Sequence, residues 1–279
     1  MSQNLTFYSN SQGIKLLETA VQSFGPIFTL QQLAALPAYQ TAPTPRLQTL
    51  LSKLARGGWV EILKRGTYAV KSPLYSTDIP PFAIASALVH PLAISHWSAL
   101  AYHELTTQNP VMIQASTPSK VVTPEMRMGN TYRPRGRAAW RAFGYEFEFI
   151  HVKQEAFWGF DQIWVNAWQQ VNITDIERTA LDLVARPDVF GGLAAAVEIL
   201  EGSLGKVNVD RLVDYALKYD MGSVIKRVGW VLEKLGVKLN DLERLKAYPV
   251  RRYYPLDPGM GGHGSRNARW QVIENLGRL

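Results

Sequence analysis

Cysteine is missing from all 279 residues, which excludes disulfides, thiolate metal sites and cysteine nucleophiles. A membrane-spanning run is missing too. The uncharged stretch 79–103 is interrupted by Pro80, Pro81 and Pro91 and carries His90 and His96, which are costly in hydrocarbon. The opening MSQNLTFYSNSQG has neither the positive start nor the continuous apolar core of a secretory signal. The expected compartment is therefore the cytoplasm, with no membrane partner.

Catalytic signatures are also absent. There is no E-x-K triplet of the kind many metal-dependent nucleases use, no G-x-S-x-G elbow and no H-E-x-x-H pair. Nor is there a G-S motif followed by paired Asp, which a nucleotidyltransferase needs to hold metal. GMGGHG (259–264) matches G-x-G-x-x-G formally, but only fifteen residues follow it (279 minus 264), too few for a dinucleotide-binding unit, and the Lys of a P-loop is lacking. It predicts a turn-forming loop, with Arg266 and Arg269 as candidate phosphate contacts. His96 and His103 lie seven apart without a third ligand, so structural roles are expected for both. The expectation is a chain that is not an enzyme, with no catalytic residue, metal or cofactor.

What is present suits a folded protein with a basic bias. The apolar fraction of 47% and charged fraction of 19% argue against disorder, and the length suggests two unequal domains. The net charge of +7 is uneven along the chain. Residues 1–75 hold seven Lys/Arg against two acids (+5), residues 120–142 six against one (+5), and residues 175–220 five against nine (−4). Two basic regions separated by a neutral to acidic body suit a polyanionic partner.

Apolar spacing predicts a first helix over 13–23, a second (LQQLAAL) capped by Thr29, and a third capped by Thr44 with Pro45 in its first turn. WVEILK and TYAV alternate as two short strands around an Arg65-Gly66 turn. Three helices and a hairpin predict a winged helix-turn-helix. The proline-containing KSPLYSTDIPP marks a linker near 71–81, so the expected domains are 1–75 and 76–279. Beyond it, helices and strands mix, and the chain becomes helical from Thr174 onward. The expected class is α+β, an amino-terminal winged helix followed by a larger mixed domain with a helical carboxyl-terminal part.

In the third helix Leu47, Leu50, Leu51 and Leu54 share one arc, while Gln48, Thr49, Ser52, Lys53 and Arg56 face away. That division suits a recognition helix. Arg46, Gln48 and Thr49 are the base-contact candidates, Lys53 and Arg56 the phosphate candidates, and Lys64, Arg65 and Thr67 the wing tip. The alternative is a solvated helix face. A second candidate surface is MRMGNTYRPRGRAAWR, where Arg127, Arg133, Arg135, Arg137 and Arg141 mix with Tyr132 and Trp140, able to engage phosphates and stack on bases. Its alternatives are a solvated basic loop or an intramolecular partner for the acidic 175–220 region.

LSKLARGGWVEILKRGTYAV, ISHWSALAYHEL, NITDIERTALDLVARPDVFGGLAAAVEIL and PLDPGMGGHGSRNARWQVIEN together resemble the AbiEi-type antitoxins of bacterial type IV toxin–antitoxin (abortive infection) systems. The resemblance implies an amino-terminal winged helix that represses its own operon, with promoter DNA, as inverted repeats, as its partner. It also implies a carboxyl-terminal antitoxin domain that counters a nucleotidyltransferase-like toxin without a stable complex, and is compatible with a monomer in solution that binds cooperatively on DNA. The other readings are a plain winged-helix transcriptional regulator whose large domain binds a ligand or protein, and an enzyme acting on nucleic acid. In NITDIERTAL, Thr174 and Glu177 have capping-box spacing, leaving Arg178 and Asp182 as residues for a further role.

Overall fold

A computed structural model describes residues 12–71, 79–129 and 137–276. In chain order the first elements are α1 (Gln12–Phe24), β1 (Ile27–Thr29), α2 (Leu30–Ala35), α3 (Thr44–Arg56), β2 (Val60–Lys64), β3 (Thr67–Val70) and α4 (Pro81–Leu88). Next come β4 (Ala93–Ile94), α5 (His96–Tyr102), β5 (Ile113–Thr117), α6 (Pro124–Arg127), β6 (Arg137–Ala142), β7 (Tyr145–His151), β8 (Phe160–Trp164) and β9 (Gln170–Thr174). The last part holds α7 (Ile176–Ala185), α8 (Leu193–Ser203), α9 (Val209–Tyr219), α10 (Gly222–Lys234), α11 (Glu243–Ala247), β10 (Tyr254–Pro255), β11 (Ser265–Asn267) and β12 (Val272–Glu274). The class is α+β, as expected.

The chain forms two compact units that do not follow the expected cut at 75/76. The first takes the described residues up to Leu92 with those of Ser119–His151 and Gln162–Val171; the second takes Ala93–Pro118, Val152–Asp161 and the described residues from Asn172 onward. The physical reason is that residues beyond the linker return to the amino-terminal elements. Lys64 Nζ donates to Leu88 O at 3.0 Å, and Phe143 N donates to Glu61 Oε1 at 2.5 Å.

In the first unit, Leu16, Leu17, Ala20, Phe28, Leu33, Leu47, Leu51, Leu54, Val60 and Tyr68 form one apolar core beneath a three-stranded antiparallel sheet of order β1-β3-β2. Thr29 caps α2 as expected, in a full capping box with Gln32. Thr44 does not cap α3. It is the helix's first residue, Pro43 is the N-cap, and no side chain closes that end. Strand β1 was not legible, because three residues carry no alternation to read. Gly25 ends α1 at φ +80, and a Cβ there would meet the Trp168 ring at 2.5 Å, so this position is closed to side chains twice over. Strands β6 and β7 form a hairpin whose two turn residues, Phe143 (φ 53) and Gly144 (φ 79), are both left-handed, as the tightest hairpin turns require.

In the second unit β4 lies between antiparallel β5 and parallel β9, with α5 packed beside β5. Helix α7 is central, touching α5, α8, α9 and α10. Its cap is Asp175, which accepts from Arg178 N at 2.8 Å; the Thr174 hydroxyl instead bonds the Thr179 hydroxyl. The N-cap is thus displaced by one residue and no Thr174/Glu177 box forms, because Thr174 is still in strand β9. The small sheet β10-β12-β11 closes the chain, with Trp270 fully buried against Gly229 of α10. Among the described residues, no helix is long and apolar enough to cross a membrane.

Candidate nucleic-acid interface

Helix α3 divides as its sequence predicts. Leu47, Leu51 and Leu54 are buried, Leu50 is partly so, and Arg46, Gln48, Thr49, Ser52, Lys53 and Arg56 are all exposed. Three of those polar groups already have partners. Arg46 Nη2 donates to Gln12 Oε1 at 3.2 Å, Thr49 Oγ1 to Pro45 O at 2.9 Å, and Arg56 Nε to Ser52 O at 3.4 Å. These are exposed contacts, and water or a ligand oxygen can replace them at small cost.

The β2–β3 hairpin, expected to be a wing, departs from expectation at two of three positions. Arg65 is exposed. Thr67 is only 5% exposed, because it pairs with Thr29 of β1 and lies within the sheet rather than at the tip. Lys64 is half-buried by its bond to Leu88 O, and burial holds its pKa below the usual lysine range. Neither contact was readable locally: β1 is too short to show a pattern, and Leu88 lies 24 residues downstream.

The sequence reading also missed a cation. Lys15, on the exposed side of α1, shares with Arg46 a groove of about 380 Å³ that Tyr39, Thr41 and Pro43 complete. The signal was available, since Lys15 and Glu18 are the only charges in α1, but nothing local to α1 places Lys15 beside α3. Lys15 and Arg46 thus share one groove, and Lys53, Arg56 and Arg65 are further exposed cations on α3 and the β2–β3 turn, with Gln48 and Thr49 as exposed neutral hydrogen-bonding groups.

The second candidate surface is described at three of its five arginines. Arg127 is exposed at the end of α6, and Arg133 and Arg135 lie outside the described residues. Arg137 is committed to a buried ion pair, its Nη2 2.7 Å from an oxygen of the fully buried Glu148, and Arg141 is 3.9 Å from Glu146. Strand register is the cause. On β6, Arg137, Ala139 and Arg141 share a face, opposite the carboxylates of β7 rather than the acidic 175–220 region.

In the second unit the residues near Asp182 form a buried polar cluster. Arg178 Nε donates to Asp182 Oδ1 at 3.0 Å, its Nη1 to the carbonyls of Ala156 and Trp158, and its guanidinium lies 4.8 Å from the Trp158 ring centre. Both side chains are 3% exposed. His96, 1% exposed and left-handed at φ 55, bonds Ser95 Oγ through Nδ1 at 2.7 Å. Burial lowers its pKa to about 4, the Asp182 charge opposing and Arg186 and Arg178 adding to the effect. His103 Nε2 lies 2.7 Å from Thr174 O, so the two histidines serve separate contacts. Among the described residues no group of acidic or histidine side chains has metal-binding geometry.

The glycine-rich loop also has a structural explanation. Asp257, just before it, accepts from Leu193 N at 2.7 Å and so caps α8, whose own N-cap is Gly192. Asn275 ties the loop from its other side through the carbonyls of Met260 and Gly261. Of the two arginines considered for phosphate, Arg269 pairs with Glu233 and Arg266 lies over the Tyr253 ring.

No protein-family model matches the chain, and no curated protein does. Among solved structures it is similar to the RV2827C protein from Mycobacterium tuberculosis, at 15% identity and a TM-score of 0.63, over 95% of this chain and 92% of that one. At that identity the likeness is one of fold.

Proposed function

We propose that the chain is a non-enzymatic, DNA-binding antitoxin and autorepressor of the type IV class. On this reading α1–α3 and β1–β3 are a winged helix-turn-helix, and α3 enters the major groove of inverted repeats in the chain's own promoter. The rest of the chain counters a nucleotidyltransferase-like toxin without a stable complex. Support comes first from α3: all of its cations and its one amide are exposed while Leu47, Leu51 and Leu54 are buried, the division a recognition helix needs. The four stretches that resemble AbiEi-type antitoxins supply the toxin-countering half.

A gel shift on the promoter region tests the DNA half. Arg46→Ala should weaken specific binding by about 1–3 kcal/mol, and Lys53→Ala should weaken all sequences alike, flattening the slope of log affinity against log salt by about 0.9. Lys64→Ala, whose side chain bonds Leu88 O, should change that slope little. If Arg46→Ala and Arg65→Ala both leave binding unchanged at physiological salt, α3 does not read DNA. Co-expression with the adjacent gene tests the other half, with growth rescue expected.

A further inference from the structure

The first unit contains a pocket of about 350 Å³ between the segment leading into α6 and the open end of the β6–β7 hairpin. Its floor is apolar: Phe149, which is 1% exposed, stands opposite Ala138 in the strand register, with Val121 and Met126 beside them. Its rim is cationic and polar. Lys120 and His151 are exposed there, and neither has an ion pair among the described residues. Ser119 Oγ, also on the rim, donates to His90 O at 3.3 Å. Arg137 also lines the pocket, but its guanidinium is held by Glu148.

Size, floor and rim each restrict the occupant. The volume is at the lower end of small-molecule sites, too small for a folded peptide segment. A floor of Phe, Ala, Val and Met offers no hydrogen bonds and favours a flat or compact apolar body. The Lys120 ammonium and the hydrogen-bonding imidazole of His151 at the rim favour a negative head group left near solvent, where it need not lose all its hydration.

We infer that this pocket binds a small organic anion, an aromatic ring carrying a carboxylate or phosphate, with the ring on Phe149 and the head group between Lys120 and His151. The two head groups share this chemistry, and the probes distinguish them.

Titration calorimetry on the full chain should use indole-3-acetate, salicylate, AMP and CMP, with indole, adenosine and inorganic phosphate as controls. The expected result is saturable one-to-one binding of at least one aromatic anion with Kd below about 1 mM, at least about tenfold tighter than its uncharged counterpart and than phosphate alone. Preference for the carboxylates or the nucleotides then identifies the head group. The surface variant Lys120→Glu/His151→Glu should lose that binding at an unchanged melting temperature, and Lys120→Arg should retain it. The inference is overturned if no aromatic anion binds in this range, if uncharged counterparts bind equally, or if the double charge reversal leaves affinity intact.

Discussion

At the residue scale the strongest constraints fall on buried polar groups whose partners are few. Asp182 shares a 3%-exposed ion pair with Arg178, and its second oxygen, Oδ2, has no hydrogen-bond partner among the described residues. Removing one member leaves the other charged and dry, so Arg178→Ala should cost about 3–5 kcal/mol, read as a lower denaturant midpoint at an unchanged slope. His96 makes a prediction about pH. Its folded pKa is about 4 against an ordinary 6.5, so below pH 6.5 the unfolded chain takes up the proton that the folded chain refuses. Stability is then full above pH 6.5 and is lost as pH falls toward 4, by an amount approaching roughly 3 kcal/mol. His96→Asn keeps a residue tolerant of positive φ and removes the titration. Melting temperatures from pH 7 to 4 should therefore fall less steeply for the variant, and parallel curves would assign the acid sensitivity to other groups.

Elements show where the sequence was readable. Helix α3 was legible because its information is local: leucines three and four apart, Pro at its start, Gly-Gly past its end. The wing was half legible. Its strands and turn follow from alternation and Gly66, whereas the burial of Thr67 and the capture of Lys64 depend on β1 and on Leu88, which no window around the wing contains. The cap of α8 is hidden in the same way, since Asp257 supplies it from 64 residues downstream, whereas α7 is capped by Asp175 because its neighbour Thr174 is still in β9. Likewise, the ion pairs of Arg137 with Glu148 and of Arg141 with Glu146 depend on strand register, which the run of arginines does not show. Helix α10 carries a close approach that periodicity also hides. A Cβ on Gly229 would collide with the buried Trp270 ring, so Gly229→Ala should destabilise by about 1–3 kcal/mol despite the better helix propensity of alanine. Thermal unfolding checks this, and a neutral or stabilising result would mean that Trp270 moves freely.

At the scale of the whole molecule, the compact units decide what a cut at the expected domain boundary does. Cutting after residue 75 removes β1 and β2, on which α4 packs, along with the acceptor for Phe143 N. The fragment 76–279 should therefore bind a hydrophobic dye and melt earlier and less cooperatively than the full chain. Equal cooperativity and no dye binding would show that the cut is harmless. Loss of DNA binding is better tested with Arg46→Ala and Lys53→Ala, which leave the core intact.

The bond between Phe143 N and Glu61 joins the β6–β7 turn to strand β2, while the opposite end of the same hairpin lines the Phe149 pocket. One six-residue ladder thus touches both a ligand-sized space and strand β2. On the two binding proposals above, linkage fixes the form of any communication along it: the factor by which an anion alters operator affinity must equal the factor by which operator DNA alters anion affinity. Two titrations, each run with and without the other ligand, measure one coupling constant twice, and Glu61→Gln is the variant positioned to change it.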